Sequence, residues 1–136
     1  MSANDFKVGI AWGAWDLFHI GHLNLIKNAK ELVDQLIVCV SSDEYILKAK
    51  GHKPIIPFAE RLMIIGSIRY VDTVDIQSQD FTKADAVKKY KPDLLIVGND
   101  WNLKTFTGAD LGVPVVFLPY TRGISSTILR EKLDKE

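Results

Sequence analysis

The sequence predicts an α/β fold built on a five-stranded parallel sheet. Five short apolar runs, rich in Val and Ile, lack the polar alternation of a half-exposed sheet, which is typical of strands buried on both faces. Segments with helical spacing lie between these runs. A strand and helix alternation of this kind favours parallel strands joined by right-handed crossovers, with helices on both faces of the sheet.

Each element has its own signal in the sequence. Leu25, Ile26, Ala29, Leu32 and Val33 recur at helical intervals and predict the first helix. The second helix follows Pro57, whose fixed φ suits a first helical turn, the third covers residues 83–90 before Pro92, and the last begins near Ser125. The predicted strands cover residues 6–12, 36–41, 71–76, 94–98 and 115–118. We therefore expect a single Rossmann-like domain over residues 1–136.

Composition narrows the range of functions. The chain has 136 residues, of which 47% are hydrophobic, and its 17 basic and 17 acidic residues cancel. This balance predicts no nucleic-acid partner and no attraction to an anionic membrane. No apolar run approaches the roughly 20 residues that cross a bilayer, so we expect a cytoplasmic protein. The single cysteine, Cys39, lies in an apolar run and is expected to be a buried hydrophobe, neither a nucleophile nor a disulfide partner.

The chemistry is expected in the loops that follow the strands, because ligands of such sheets bind beyond the carboxyl ends of the strands. Two of the three histidines, His19 and His22, lie where the first of these loops enters a helix. Their spacing puts both imidazoles on one side of the helix, and Gly21 between them allows close approach to the backbone. Together with the N–H groups of the helix start, they form a cradle for phosphate. A zinc site is one alternative use of two such histidines, and two hydrogen-bonded histidines of the core are the other.

The segment 13–22 reads Gly-Ala-Trp-Asp-Leu-Phe-His-Ile-Gly-His and resembles the motif G-T-F-D-x-x-H-x-G-H of the cytidylyltransferases. These are HxGH nucleotidyltransferases, and the chain is most similar to the glycerol-3-phosphate cytidylyltransferases among them. Later segments match in the same order, namely Arg61, Arg69-Tyr70-Val71-Asp72, Gly98-Asn99-Asp100-Trp101 and Gly123-Ile124-Ser125-Ser126-Thr127. The resemblance therefore covers nearly the whole chain.

The resemblance implies that His19 and His22 contact the triphosphate and stabilise the transition state at the α-phosphorus. Lysines after the second strand, Lys48 and Lys50, are expected on a mobile loop that reaches the phosphates. Arg61 and Arg69 are eight residues apart and are expected to share a helix face, where they bind substrate or, with Asp72, contribute to a dimer interface.

The remaining predicted site residues follow from the same motifs. His19, His22, Lys50 and Arg122 are the predicted catalytic residues. The predicted nucleotide-binding residues are Trp12, Gly13, Ala14, Trp15, Asp16, Gly21, Lys48, Gly98, Asp100, Trp101, Tyr120, Thr121, Gly123, Ile124, Ser125, Ser126 and Thr127. Two of these depart from the family pattern: Ala14 replaces a hydroxyl residue, and Tyr120 replaces an arginine that Arg122 could supply from two positions further on.

The expected activity is transfer of CMP from CTP to a phosphorylated alcohol or polyol, with Mg²⁺ carried on the nucleotide and release of pyrophosphate. The resemblance also implies a homodimer. Adenylyl transfer to a sugar phosphate or to flavin mononucleotide is the first alternative, since enzymes with the same core differ mainly in backbone contacts to the base. A nucleotide-binding sensor without turnover is the second, and Ala14 and Tyr120 favour it.

Overall fold

The computed structural model describes residues 6–98, 110–119 and 126–135. In chain order, the strands of this part are β1 (Phe6–Gly13), β2 (Val33–Ser41), β3 (Thr73–Gln77), β4 (Leu94–Gly98) and β5 (Val115–Leu118). The helices are α1 (Ile20–Leu32), α2 (Asp43–Lys50), α3 (Phe58–Gly66), α4 (Lys83–Tyr90) and α5 (Ser126–Lys135).

The five strands form one parallel sheet in the order β3-β2-β1-β4-β5. The chain moves outward from β1 through β2 to β3, and then returns to the other side of β1 with β4. The strand order therefore reverses between β1 and β4, where Ala11 pairs with Ile96. This confirms the predicted fold class and puts the expected ligand crevice beyond Gly13 and Gly98, the last residues of these two strands.

Two apolar layers hold the sheet between its helices. On one face, α1 and α3 pack on the sheet through residues such as Ile26 and Ile65, both fully buried. On the other face, α4 contributes Ala86 to a cluster that includes Ile10 and Leu95. Because both faces are covered, the strands need no polar alternation, which explains the continuous apolar runs in the sequence.

The structure corrects two predicted boundaries and adds one helix. Val33, assigned to the first helix by its spacing, is the first residue of β2, so that strand begins directly where α1 ends. The strand predicted from residue 71 begins at Thr73. The segment after β2 is the helix α2 and not a mobile loop, because Ser42 caps its start and Gly51, with φ of 80°, ends it in a left-handed conformation.

Cys39 lies in the centre of β2 and is fully buried with a free thiol. Burial raises the pKa of this thiol to about 12, so it remains protonated and unreactive at neutral pH. Among the residues that the structure describes, there is no helix with the length and apolar character needed to cross a membrane.

Candidate active site

The two histidines bind each other's backbone at the start of α1. His19 is the N-cap, and its Nδ1 accepts the N–H of Gly21 at 3.0 Å. His22 Nδ1 in turn accepts the N–H of His19 at 3.3 Å. This reciprocal arrangement is a capping box made from two imidazoles. The N–H groups of His19 and Gly21 are therefore occupied within the helix start and are not available to a phosphate.

This capping fixes the tautomer of both rings. A neutral imidazole that accepts at Nδ1 carries its proton on Nε2, so each ring has an Nε2–H donor for another group. His19 Nε2 is buried and has no hydrogen-bond partner among the described residues. Because a buried donor without a partner is costly in a native protein, this position favours a ligand with acceptor oxygens.

Burial keeps the two rings neutral. Burial lowers the pKa of His19. For His22, burial and then the neighbouring His19 and Lys50 lower the pKa to about 3, although Asp16 acts in the opposite direction. The two rings stack with centroids 3.9 Å apart, a geometry that two imidazolium cations would oppose by repulsion. The pair can therefore donate two neutral N–H hydrogen bonds at pH 7.

Asp16 joins three segments around the histidine loop. One carboxylate oxygen accepts the N–H of Ile56 at 2.9 Å, and the other accepts the N–H of Ile55 and the guanidinium of Arg130, each at 2.8 Å. Burial opposes ionisation of this carboxyl, but these donors hold its pKa below the usual value. Because protein donors occupy both oxygens, the carboxylate of Asp16 organises the loop instead of making the predicted contact with the nucleotide.

Arg61 lies beneath the site instead of on its surface. It is fully buried, and its guanidinium donates to the carbonyl oxygens of Ile56, Ala14 and Ser41 at 2.7–2.8 Å and to the carboxylate of Asp43 at 2.7 Å. These contacts occupy four of the five N–H donors of the guanidinium, and with Arg61 fully buried the structure does not support the prediction that it binds substrate or forms an interface. Arg61 instead ties together the segments that follow β1 and β2 and precede α3.

Trp12 and Trp15 lie on opposite faces of the sheet. The Trp15 ring is in the core, 4% exposed, with its Nε1 donating to the Cys39 carbonyl at 3.1 Å. A nucleotide therefore has no access to this ring, which corrects its predicted binding role to one of support. Trp12 faces the α4 side, where the ammonium of Lys83 lies 5.8 Å from its ring centroid.

The backbone of this loop is strained. Trp15 and Leu17 have φ of 57° and 48°, in the left-handed region that side chains with a Cβ rarely adopt. A Cβ on Gly13 would come within 2.8 Å of the Trp15 ring, so the chain needs glycine there. Strain of this kind persists only where surrounding contacts enforce it, and it concentrates at functional sites.

The other predicted residues of the described part lie in or next to the elements around the histidine loop, or are exposed on helices. Ala14 directly follows β1, Gly21 lies in the first turn of α1, and Gly98 is the last residue of β4. Lys50, in the last turn of α2, is close enough to lower the pKa of His22. Lys48 is exposed on the same helix, and Thr127 is exposed in the first turn of α5.

Arg69 and Asp72 lie away from the crevice. Arg69 is exposed and contacts the hydroxyl of Tyr70, so it shares no face with the buried Arg61. Asp72 accepts from the Lys30 ammonium and from the N–H of Leu36, both at 2.7 Å. Since Asp72 precedes β3, it lies at the amino ends of the strands, opposite the expected ligand crevice. Its predicted role at an interface or toward substrate stays a prediction.

Several predicted residues lie outside the described part of the chain. These are Asp100, Trp101, Tyr120, Thr121, Arg122, Gly123, Ile124 and Ser125. Sequence reasoning also missed Arg130, whose bond to Asp16 spans 114 residues and has no local signal. It also missed that Gln77, the last residue of β3, is buried.

Comparisons with known proteins agree with this geometry. The sequence model of the cytidylyltransferase-like family matches residues 10–132. The chain belongs to this family. It is 36% identical over 124 residues to the glycerol-3-phosphate cytidylyltransferase of Staphylococcus aureus, covering 91% of this chain and 92% of that protein. The identification of a cytidylyltransferase-like nucleotidyltransferase from the sequence is thus confirmed.

Two further relatives extend the comparison. The FAD synthase of Pyrococcus abyssi is 38% identical over 117 residues, which cover 82% of this chain and 79% of that protein. The crystal structure of a lipopolysaccharide core biosynthesis protein from Thermoplasma volcanium aligns with a TM-score of 0.70 at 26% identity, over 85% of this chain and 97% of that one. The family's fold is therefore shared by relatives whose names point to different acceptors.

Proposed function

We propose that the protein transfers CMP from CTP to a phosphorylated small alcohol or polyol, with release of pyrophosphate. The observation that supports this most is the pair of neutral imidazoles at the start of α1, whose Nδ1 atoms are occupied and whose Nε2–H donors remain for a ligand. Acceptor oxygens of a polyphosphate fit this pair. The cytidylyltransferases among the relatives, at 36% identity over most of the chain, support CTP as the donor.

In the proposed reaction, a phosphate oxygen of the acceptor attacks the α-phosphorus of CTP. A new bond forms between this oxygen and the phosphorus, while the bond from the α-phosphorus to the bridging oxygen breaks and its electron pair leaves with pyrophosphate. Such transfers need in-line positioning and donors at the oxygens where charge develops. His19 and His22 donate their Nε2–H groups to these oxygens, and Lys50 adds a positive charge near them.

Mg²⁺ is proposed to arrive with the triphosphate, where it neutralises charge on the phosphate oxygens. The described residues contain no cluster of three potential metal ligands, and protein donors occupy both oxygens of Asp16. In the proposed reaction, the phosphate oxygens of the nucleotide coordinate the ion. The homodimer, the cytoplasmic location and the single domain over residues 1–136 stay predictions.

Adenylyl transfer to flavin mononucleotide is a second candidate function. The FAD synthases from two Pyrococcus species are each 38% identical over 117 residues, and this identity favours the candidate. Both reactions use the same attack of an acceptor phosphate on an α-phosphorus, so the histidine pair serves either. The two reactions differ in the base of the nucleoside triphosphate and in the acceptor.

The test is pyrophosphate release by the purified protein, measured with each of CTP, ATP, GTP and UTP in the presence of Mg²⁺. Each nucleotide is combined with glycerol-3-phosphate, phosphoethanolamine, a hexose phosphate or flavin mononucleotide. Turnover with CTP and glycerol-3-phosphate, above that of the other pairs, supports the proposal. Turnover only with ATP and flavin mononucleotide would replace it with the second candidate, and nucleotide binding without turnover in any pair would favour a sensor.

A further inference from the structure

The ring of His22 lies against three other rings. It stacks on the ring of His19, with centroids 3.9 Å apart and planes inclined by 20°. It also stacks on the ring of Phe18, with centroids 5.3 Å apart and planes inclined by 27°. The Trp15 ring meets it edge-on, at 5.5 Å and 71°. One of the two proposed phosphate donors therefore has aromatic neighbours that the HxGH spacing alone does not supply.

Stacking matters for His22 because its hydrogen bond is long. His19 Nδ1 accepts the N–H of Gly21 at 3.0 Å, whereas His22 Nδ1 accepts the N–H of His19 at 3.3 Å. The terminal torsion of a histidine side chain is broad, so a hydrogen bond of this length leaves the ring freedom to turn. Rotation of the ring changes the direction of its Nε2–H group. A flat side chain against the ring restricts that rotation.

The fold holds Phe18 against His22. The Phe18 side chain is half-buried and packs on the apolar cluster that α1 and α3 form with the sheet. The residue before it, Leu17, has a left-handed φ of 48°, and its N–H donates to the Asp16 carboxylate at 3.1 Å. Because the same carboxylate joins two other segments, the backbone that presents Phe18 to His22 is fixed by contacts with distant parts of the chain.

Phe18 also lines a cavity of about 410 Å³ beside α3 and α5. Ile64 and Leu133, which line it too, are 38% and 57% exposed, so the cavity borders solvent. His22 is not among the lining residues, whereas Phe18 contacts both the cavity and the imidazole. Loss of the Phe18 ring therefore opens a route for water from the cavity to His22.

We infer that Phe18 is a positioning residue for the proposed transfer: its ring holds the imidazole of His22 in the orientation that directs Nε2–H at a phosphate oxygen, and it keeps water from the imidazole. This inference rests on the proposed function, because the phosphate oxygen belongs to the nucleotide of that reaction. In this role Phe18 acts through His22 and does not contact the substrates. It occupies one of the unspecified positions of the motif G-T-F-D-x-x-H-x-G-H, so the resemblance assigns it no role.

The first test is steady-state pyrophosphate release by the full chain with CTP and glycerol-3-phosphate. Phe18→Ala should lower kcat about 10- to 100-fold, because a misdirected donor no longer meets the charge that develops in the transition state. The KM of each substrate should change by less than about 3-fold, since Phe18 contacts neither. Phe18→Tyr keeps a flat ring and has the cavity for its hydroxyl, so its kcat should stay within about 3-fold of the wild type.

Phe6→Ala is the matched control. Phe6 and Phe18 are both half-buried and pack on the same apolar cluster, but Phe6 begins β1 at the amino ends of the strands. Its loss should destabilise the fold in the same way and leave kcat within about 2-fold of the wild type. Circular dichroism checks that each variant is folded. An equal loss of kcat in Phe6→Ala and Phe18→Ala would overturn the inference, as would a rise in KM without a loss of kcat, which would make Phe18 a substrate contact.

Nitrogen NMR of the imidazoles at pH 7 is the second test and needs no substrate. The chain has three histidines, His19, His22 and the exposed His52, so a glutamine variant of each assigns every signal. In the wild type and in Phe6→Ala, His22 should show the neutral tautomer with its proton on Nε2. In Phe18→Ala, its shifts should move toward those of a solvated imidazole that turns freely, while His52 stays unchanged. A wild-type His22 signal in Phe18→Ala would overturn the inference. Phe18→Leu, which lacks a flat ring, takes its place if Phe18→Ala does not fold.

The NMR comparison separates the inference from the proposed function. If the wild-type protein turns over only ATP and flavin mononucleotide, the same variants are measured with that pair. If it turns over no pair, the proposed function fails, and inorganic tripolyphosphate then serves as the probe in the NMR experiment. A change in the His22 Nε2 signal that occurs in the wild type and Phe6→Ala and is weakened in Phe18→Ala would support the positioning role. No change in the wild-type signal would overturn it.

Discussion

Replacing Arg61 by Met should destabilise the protein strongly, although Arg61 touches no ligand in the proposed mechanism. Met is unbranched and adaptable, so it fills most of the space of the arginine stem. It supplies no donor, however, for the three carbonyl oxygens and the carboxylate that the guanidinium contacts at 2.7–2.8 Å. The substitution therefore isolates the loss of hydrogen bonds and charge from the loss of packing.

The expected magnitude follows from the burial of the partners. Removing one member of a buried ion pair costs about 3–5 kcal/mol. The Arg61 side chain is 0% exposed while that of Asp43 is 32% exposed. Because water can partly solvate the remaining carboxylate, we expect the loss of the ion pair to cost near the lower end of this range. We expect a loss of at least about 3 kcal/mol in the free energy of unfolding, a large share of the roughly 5–15 kcal/mol that a domain possesses.

Urea unfolding followed by circular dichroism measures this loss, with Arg69→Met as the matched control. Arg69 is exposed and contacts only the neighbouring Tyr70 among the described residues, so its removal should leave the urea midpoint within error. Arg61→Lys should fall between the two, because a lysine keeps the charge but cannot contact four acceptors from one rigid plane. Equal midpoints for Arg61→Met and Arg69→Met would refute the assignment of Arg61 as the link between these loops.

Three further predictions concern the histidine loop. His19→Ala or His22→Ala should lower turnover at least about 100-fold without unfolding the protein; a rate within 10-fold of the wild type, in the same pyrophosphate assay, would remove that ring from the reaction. Because the pKa of His22 is about 3 in the fold against 6.5 in the unfolded chain, the unfolded state binds more protons at acidic pH. The contribution of His22 to the free energy of unfolding should therefore be fully present above pH 6.5 and should fall by about 2 kcal/mol between pH 7 and 5. The fall should be smaller in His22→Gln. An equal slope in the two proteins, measured by urea unfolding, would contradict this. Gly13→Ala should lower the free energy of unfolding by about 1–3 kcal/mol through overpacking, since its Cβ would lie 2.8 Å from the fixed Trp15 ring. Gly66→Ala, whose Cβ would meet Val74 at 3.6 Å, is the control and should lower the melting temperature little. Similar melting temperatures for the two variants would refute the clash.

Much of the fold could be predicted from the sequence because its signals are local. Buried parallel strands require continuous apolar runs, so the strands ending at Gly98 and Leu118 were predicted with the bounds that the structure has. The helix α2 was missed because its eight residues carry a weak apolar pattern with a single buried position, Ile46. Its caps, Ser42 and Gly51, were the available signal, and the lysines between them were read instead as a loop.

The candidate site, like the fold, could be predicted only where its sequence signal is local. The HxGH spacing is a local pattern, and it led to the histidine pair and to the family that the comparisons show. The roles of Asp16 and Arg61 could not be read from the sequence, because their partners are up to 114 residues away. A charged residue in a motif is equally consistent with contact to a ligand and with support of a loop.

The sequence by itself determined the order of the five strands and of four of the helices, the histidine pair at a helix start and membership of the family. These depend on spacing along the chain, which is set by the geometry of helix and strand. Only the tertiary structure decided which charged groups are consumed inside the protein and which remain for a substrate. Burial and hydrogen bonding between distant segments fix the tautomers of His19 and His22 and remove Arg61 from the surface, because a polar group is available to a ligand only when no nearer partner satisfies it.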